Sequence, residues 1–250
     1  MDILIFVLIG LLGLLAGYLV NYLSDVLPYH RKLSRPVCVH CGKDIPTSQY
    51  LLELRGSCPV CGQPKSWRWM VVLVGAVFLT VYFWYFPPEK LGFWLTWILA
   101  IYFSVIIVID VEHRLILLPV IAVGIVLLGA IGLVRHGWQS TILGGAVGYG
   151  VMYALYGLGV LFSKIAAKRR GQPLDEVALG FGDVNLAGVV GLLLGFPGIG
   201  AGLMLAILLG GLGGGIVILV MLLRKQYSAY MPIPYGPFIV LAAYFLMLQK

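Results

Sequence analysis

Charge is what this sequence has least of. Asp, Glu, Lys and Arg make up 11% of its 250 residues, against 61% hydrophobic ones, and the acids number only ten. A soluble globular domain carries roughly 25% charged residues, so that class is excluded and a polytopic membrane protein is indicated. Cysteine is absent outside one loop. No G-x-G-x-x-G turn follows a strand-like segment, which excludes a glycine-rich cofactor cradle of that kind. The first apolar segment lacks a basic start and a small-residue cleavage site, and is therefore expected to be a retained helix and not a removed leader.

What the chain does have is apolar length. Segments at about 3–23, 69–86, 93–109, 116–134, 141–162, 184–198, 200–223 and 237–249 are each long enough, or nearly so, to cross a bilayer. The expected fold is an all-α polytopic membrane protein of about eight transmembrane helices with a small cytoplasmic zinc-binding loop domain. Its parts are a first helix (1–23), a loop domain (24–68) and a transmembrane region (69–250). Basic residues stay on the cytoplasmic side. With the N-terminus outside, Arg31, Lys32, Arg35, Lys43, Arg55, Lys65, Arg68, Arg114, Lys164, Lys168, Arg169, Arg170, Arg224 and Lys225 all fall inside, and Lys90, Arg135 and Lys250 outside. Topology thus accounts for the net charge of +7, and no nucleic-acid partner is needed.

The polar insertion holds every cysteine: Cys38, Cys41, Cys58 and Cys61, spaced C-x2-C-x16-C-x2-C. Two thiolates two residues apart grip one metal from a tight turn, and Gly42 and Gly62 follow each pair where the turn needs a relaxed backbone. Four protein ligands close a tetrahedral shell, so the expected ion is structural zinc, folding a loop too short for its own core. A disulfide pairing is the alternative, disfavoured by a reducing cytoplasm. His40 lies inside the first turn, where it is a spare donor or a spectator; His30 has no visible partner.

A carboxylate beside hydrocarbon is costly and is kept where it has a partner or a task. "ALGFGDVNLAGVVGLLLG" sets Asp183 between Gly182 and a membrane-length run, and "SVIIVIDVEHRLILLPV" sets Asp110 at the end of another, at the same membrane face. Two aspartates brought close cannot both ionise cheaply; one becomes a general base and the other a general acid, as peptide hydrolysis requires. Gly180 and Gly182 permit the close backbone approach of an active-site loop. The plain alternative is that Asp183 caps the helix beginning at Val184 and that Asp110, Glu112, His113 and Arg114 form a solvated turn. Glu112 and His113 are read as local hydrogen-bonding or substrate-facing residues, not metal ligands.

These residues resemble a known family. "GFGD" (Gly180 to Asp183) is similar to the Gly-x-Gly-Asp motif of intramembrane aspartic peptidases, and "VIDVEHRLI" (Val108 to Ile116) to the first aspartate motif of type IV prepilin peptidases. "MPIPYGPFIVLAA" (Met231 to Ala243) resembles that family's Ile-Pro-Phe-Gly-Pro-Phe segment, and the four-cysteine loop resembles that of its bacterial members. The resemblance spans nearly the whole chain in order. It implies a bacterial inner-membrane enzyme, serving type IV pili or protein secretion, that removes the leader of prepilins and pseudopilins on the cytoplasmic face after a glycine, with Asp110 and Asp183 as the catalytic pair. In bifunctional members S-adenosylmethionine then methylates the new N-terminus. The chain departs from the family at Val120 and Asn185, where an aspartate and a lysine are common. Where methylating members read Arg-Tyr-Pro-x-Val-Glu, it has Arg68, Trp69, Met70, Val71, Val72 and Leu73. A presenilin-like protease and a non-enzymatic ion or proton pathway are the rival readings. Glycines in "LLGGLGGGIVILV" (Leu208 to Val220) are expected to pack helices tightly, the alternative being a bend near a lateral opening for the substrate helix.

Overall fold

The computed structural model describes residues 2–38, 40–47, 50, 57–58, 60–64, 66–170, 180–224 and 234–248. Among these the named elements are helices: α1 (Asp2–His30), α2 (Trp67–Tyr85), α3 (Gly92–His113), α4 (Leu118–Arg170), α5 (Phe181–Leu194), α6 (Gly198–Leu223) and α7 (Gly236–Leu248). Five of them contain spans long and apolar enough to cross a membrane: Ile3–His30, Trp67–Tyr85, Gly92–His113, Leu118–Ile165 and Gly198–Leu223. Phe181–Leu194 and Gly236–Leu248 are shorter apolar helices. The candidate segments at 116–134 and 141–162 are the two limbs of α4, which bends at Gly137 (φ 75°, ψ 169°), a backbone conformation that suits only glycine. Residue 249 of the last candidate segment and residues 231–233 of the proline-rich motif lie outside the described residues.

The chain forms two compact units, Met1–His113 and Arg114–Leu248. In the first, α1 runs seven residues past the boundary that apolarity predicts. Asn21, within the apolar segment, and Ser24 and Asp25, which end it, are buried in the helix at 0, 0 and 3% exposure. Asn21 and Asp25 continue the helix because partners from α2 and the loop receive them. The helix stops when Arg31 turns left-handed (φ 53°) and its N–H closes on the Leu27 carbonyl at 2.9 Å. Along the shared face of α1 and α2, a Cβ on Gly13 would lie 2.7 Å from Val77 Cα and one on Gly17 would lie 2.8 Å from Leu73 Cδ2. Small residues let the two backbones meet, as lipid-embedded helices require. Trp97 of α3 donates to Thr80 of α2 at 3.1 Å.

In the second unit α5 is the inner helix: Val184, Leu186, Ala187 and Leu193 are fully buried and Val189 and Val190 nearly so. Its glycines meet those of α4 backbone to backbone. A Cβ on Gly144 would lie 2.4 Å from the Gly191 carbonyl oxygen, and one on Gly191 would lie 2.2 Å from that of Gly144. This is where the tightest glycine packing falls, and not in the Leu208 to Val220 tract. There Gly210 and Gly213 instead make room for the rings of Tyr235 and Phe238, while a Cβ on Gly211 or Gly215 would meet nothing. The turn after α5 is tied to α4 by a reciprocal pair, Phe196 N–H to the Ser140 carbonyl at 2.9 Å and Ser140 Oγ to the Phe196 carbonyl at 2.8 Å.

Candidate functional site

The two cysteine pairs sit in turns of the same geometry. Gly42 and Gly62 both take φ 69°, and their N–H groups close on the carbonyls of Cys38 and Cys58, each at 2.8 Å. Antiparallel bridges brace both turns, Val37 to Asp44 and Ser57 to Pro64. The four sulfurs all lie within 4.8 Å of one another. Cys38 and Cys61 approach to 3.8 Å, as do Cys41 and Cys58. An ion bonded to four sulfurs at about 2.3 Å has tetrahedral edges of about 3.8 Å, so the cluster fits one zinc-sized ion. Backbone N–H groups of Cys61 and Val60 stabilise the Cys58 thiolate and hold that thiol down at about 6, while burial pushes Cys38 up to about 12. His40 is not among the gathered ligand atoms. His30 has a partner after all: its Nε2 lies 3.4 Å from Asp44 Oδ1.

Beside this loop lies a polar cluster whose members the sequence did not connect. Asp25 accepts from the Tyr50 hydroxyl at 2.7 Å and pairs with Arg68 Nη2. Arg68 Nε lies 2.9 Å from Glu112 Oε1. Trp69 Nε1 donates to the Tyr50 oxygen at 3.4 Å, and Asn21 Nδ2 donates to the Trp69 carbonyl at 3.1 Å. Burial, the charge of Asp25 and the hydrogen bond to it all drive the Tyr50 phenol far above its usual range. Four separate segments supply this cluster, and the only signal in the sequence was a set of polar residues at helix ends.

Asp110 belongs to the first unit and is buried in the last turns of α3, at 4% exposure. The helix continues past it through Glu112, which faces Arg68, to His113, whose ring meets Tyr29 edge-on at 6.0 Å. The solvated-turn alternative fails for Asp110, which is buried within the helix, but Glu112 and Arg114 are exposed, and Arg114 lies past the helix end at φ 53°.

Asp183 belongs to the second unit, at 7% exposure. It does not precede its helix; α5 begins at Phe181 with Gly180 as N-cap, and Asp183 is in the first turn. Its Oδ2 accepts the Gly180 N–H at 3.1 Å while its own N–H bonds the Gly180 carbonyl at 3.1 Å. The carboxylate thus reaches back over the helix start, where the dipole favours its charge. A Cβ on Gly182 would lie 2.8 Å from Ile116 Cβ, so only glycine permits this approach. Tyr235, just before α7, is within electrostatic reach: burial raises its phenol pKa and the charge of Asp183 raises it further.

Comparison with known proteins gives consistent matches. Residues 97–248 match the type IV leader peptidase family. The prepilin leader peptidase/N-methyltransferase of Dichelobacter nodosus is 31% identical over 222 residues, covering 83% of this chain and 68% of its own. The proteins of the same name from Aeromonas hydrophila and Stutzerimonas stutzeri are each 28% identical, over 90% and 84% of this chain and 74% and 70% of theirs. No solved structure gives a significant match.

Proposed function

The chain belongs to the type IV leader peptidase family and is a peptidase, and from that premise we propose that it is an aspartic endopeptidase that removes the leader of prepilins or pseudopilins after a glycine. The bacterial inner membrane holds it, with the scissile bond met at the cytoplasmic face. Asp110 and Asp183 are the reacting carboxylates; Gly180, expected in a loop, is the N-cap of α5, and Gly182 stands in its first turn, where it permits close backbone approach beside the second. The observation that carries the reading is that the family match, residues 97–248, contains both aspartates, each nearly buried at a helix end.

The chemistry uses water alone. One carboxylate takes a proton from water as its oxygen attacks the carbonyl carbon; the other, protonated, gives its proton to the departing amine nitrogen as the C–N bond breaks. Charge sharing between the two divides the roles. Cys38, Cys41, Cys58 and Cys61 would hold a single zinc ion, which would order the loop; with all four ligands supplied by protein, its role would be structural.

Methyl transfer fits this chain less well. Leu73, 3% exposed and packed against Gly17, occupies the position where the resemblance calls for glutamate. The residues present do not reproduce the arrangement of S-adenosylmethionine-dependent members at that point, and the proposed reaction is hydrolysis.

The test is cleavage of a purified prepilin in liposomes by wild type, Asp110→Asn and Asp183→Asn, with S-adenosylmethionine present and the product weighed. Leader release by wild type alone supports the pair, and an unmodified N-terminus supports hydrolysis only. Cleavage by either variant would overturn the assignment. A substrate whose glycine before the cut is replaced separates this enzyme, which should refuse it, from a presenilin-like protease.

A further inference from the structure

We propose that Arg68 is a positioning residue, which fixes the last turn of α3 and thereby the aim of Asp110 from the cysteine loop. The inference rests on the peptidase reading above. The last turn of a helix leaves carbonyls without intrahelical partners and frays unless something holds it. Here two neighbouring residues hold it. Glu112 is 2.9 Å from Arg68 Nε, and the His113 ring meets Tyr29 of α1.

Arg68 is itself fixed. It is the second residue of α2, six residues after the last cysteine turn, its side chain is 14% exposed, and Nη2 pairs with Asp25, whose side chain is 4% exposed. Tyr50, from the stretch between the two cysteine pairs, holds the other oxygen of Asp25 at 2.7 Å. The guanidinium therefore joins α1 and α3 directly, and the loop through Asp25 and Tyr50: Nη2 hydrogen-bonds Asp25, and Nε stands in ion-pair contact with Glu112 without hydrogen-bond alignment. An ammonium, as one point charge on a flexible stem, does not hold two nitrogens at a fixed spacing before the two carboxylates.

The helix geometry makes this an aiming device. Residues two apart on an α-helix point about 200° apart, so Glu112 is held from one side while Asp110 projects from the other. Pinning residue 112 sets the rotation of the turn without touching the face that bears Asp110. A displacement of about 1 Å at a reacting group costs up to a hundredfold in rate.

The experiment compares wild type with Arg68→Met, Arg68→Lys, Glu112→Gln and the Arg68→Met/Glu112→Gln double variant. It measures kcat and KM for prepilin cleavage, zinc content, and amide hydrogen exchange over residues 108–113. The expected result is a fall in kcat of about tenfold to a hundredfold in both Arg68→Met and Glu112→Gln, with KM little changed and one zinc retained. Exchange should rise at 110–113, Arg68→Lys should recover part of the rate, and the double variant should be no worse than either single one. An unchanged kcat in folded, zinc-loaded variants would overturn the proposal, as would losses that multiply in the double variant. Should Arg68→Met not fold, Glu112→Gln reads the same clamp from α3. If wild type itself does not cut prepilin, the peptidase reading fails, while the exchange data still judge the clamp.

Discussion

Replacing Gly144 with alanine should cost the protein stability and activity together. The added Cβ would lie 2.4 Å from the Gly191 carbonyl oxygen and 2.7 Å from Gly195 Cα. Against ordinary contact that is short by about 1 Å, and the obstacle is backbone on both sides, so no rotamer change relieves it. Either α4 and α5 separate or one slides. Overpacking of this kind costs about 1–3 kcal/mol, and alanine's better helix propensity returns roughly 1 at most. A net loss of about 1 kcal/mol corresponds to a fall in Tm of roughly 3–6 °C for a unit of this size. The control is Gly150→Ala on the same helix, where a Cβ meets nothing within 4 Å and which should be neutral or slightly stabilising. Thermal unfolding in detergent, with leader cleavage assayed in parallel, gives both readings. Because α5 carries Asp183 in its first turn, a shifted helix moves the carboxylate, and activity should fall beyond what the lost folded fraction explains. If Gly144→Ala behaves like Gly150→Ala, the backbone-to-backbone contact is not what holds α5.

Other outcomes follow from the cysteine loop. Purified protein should contain one zinc per chain by elemental analysis, and Cys38→Ser or Cys61→Ser should lose it. Gly42→Ala and Gly62→Ala force alanine to φ near 69°, a cost of about 1–2 kcal/mol; competition with a chelator should show zinc held roughly tenfold more weakly, and unchanged affinity would refute the strain. The Tyr50 phenol has a raised folded pKa, so its contribution is complete below about pH 10 and is lost as pH climbs beyond that, where the unfolded chain releases its proton first. Tryptophan fluorescence and zinc release should therefore change above about pH 10 in wild type, and Tyr50→Phe should flatten that dependence.

Apolar length made the membrane character and the helical fold legible, because a bilayer imposes one simple requirement on a spanning segment. The cysteine spacing was equally direct, since the geometry of a metal ion dictates it; the gathered sulfurs follow from two identical turns. Helix boundaries read less well. Ser24 and Asp25 look like the end of α1 until Tyr50 arrives from elsewhere as a partner for Asp25. The fork at Arg68 was unreadable for the same reason: its carboxylates stand 43 residues before it and 44 after it in the chain, and nothing local links them. Asp183 was visible as a carboxylate near a helix start, whereas its place inside the first turn depends on the Gly180 N–H it receives.

The burial of α5 has a consequence for how the protein is made. With 14 residues it spans about 21 Å, short of a hydrocarbon core of about 30 Å. Most of its side chains face protein and not lipid. Such a segment is poorly suited to insert alone as it leaves the ribosome. Its surroundings are the glycine face of α4, which precedes it in the chain, so α5 is expected to settle against α4 and to carry Asp183, in its first turn, into place with it.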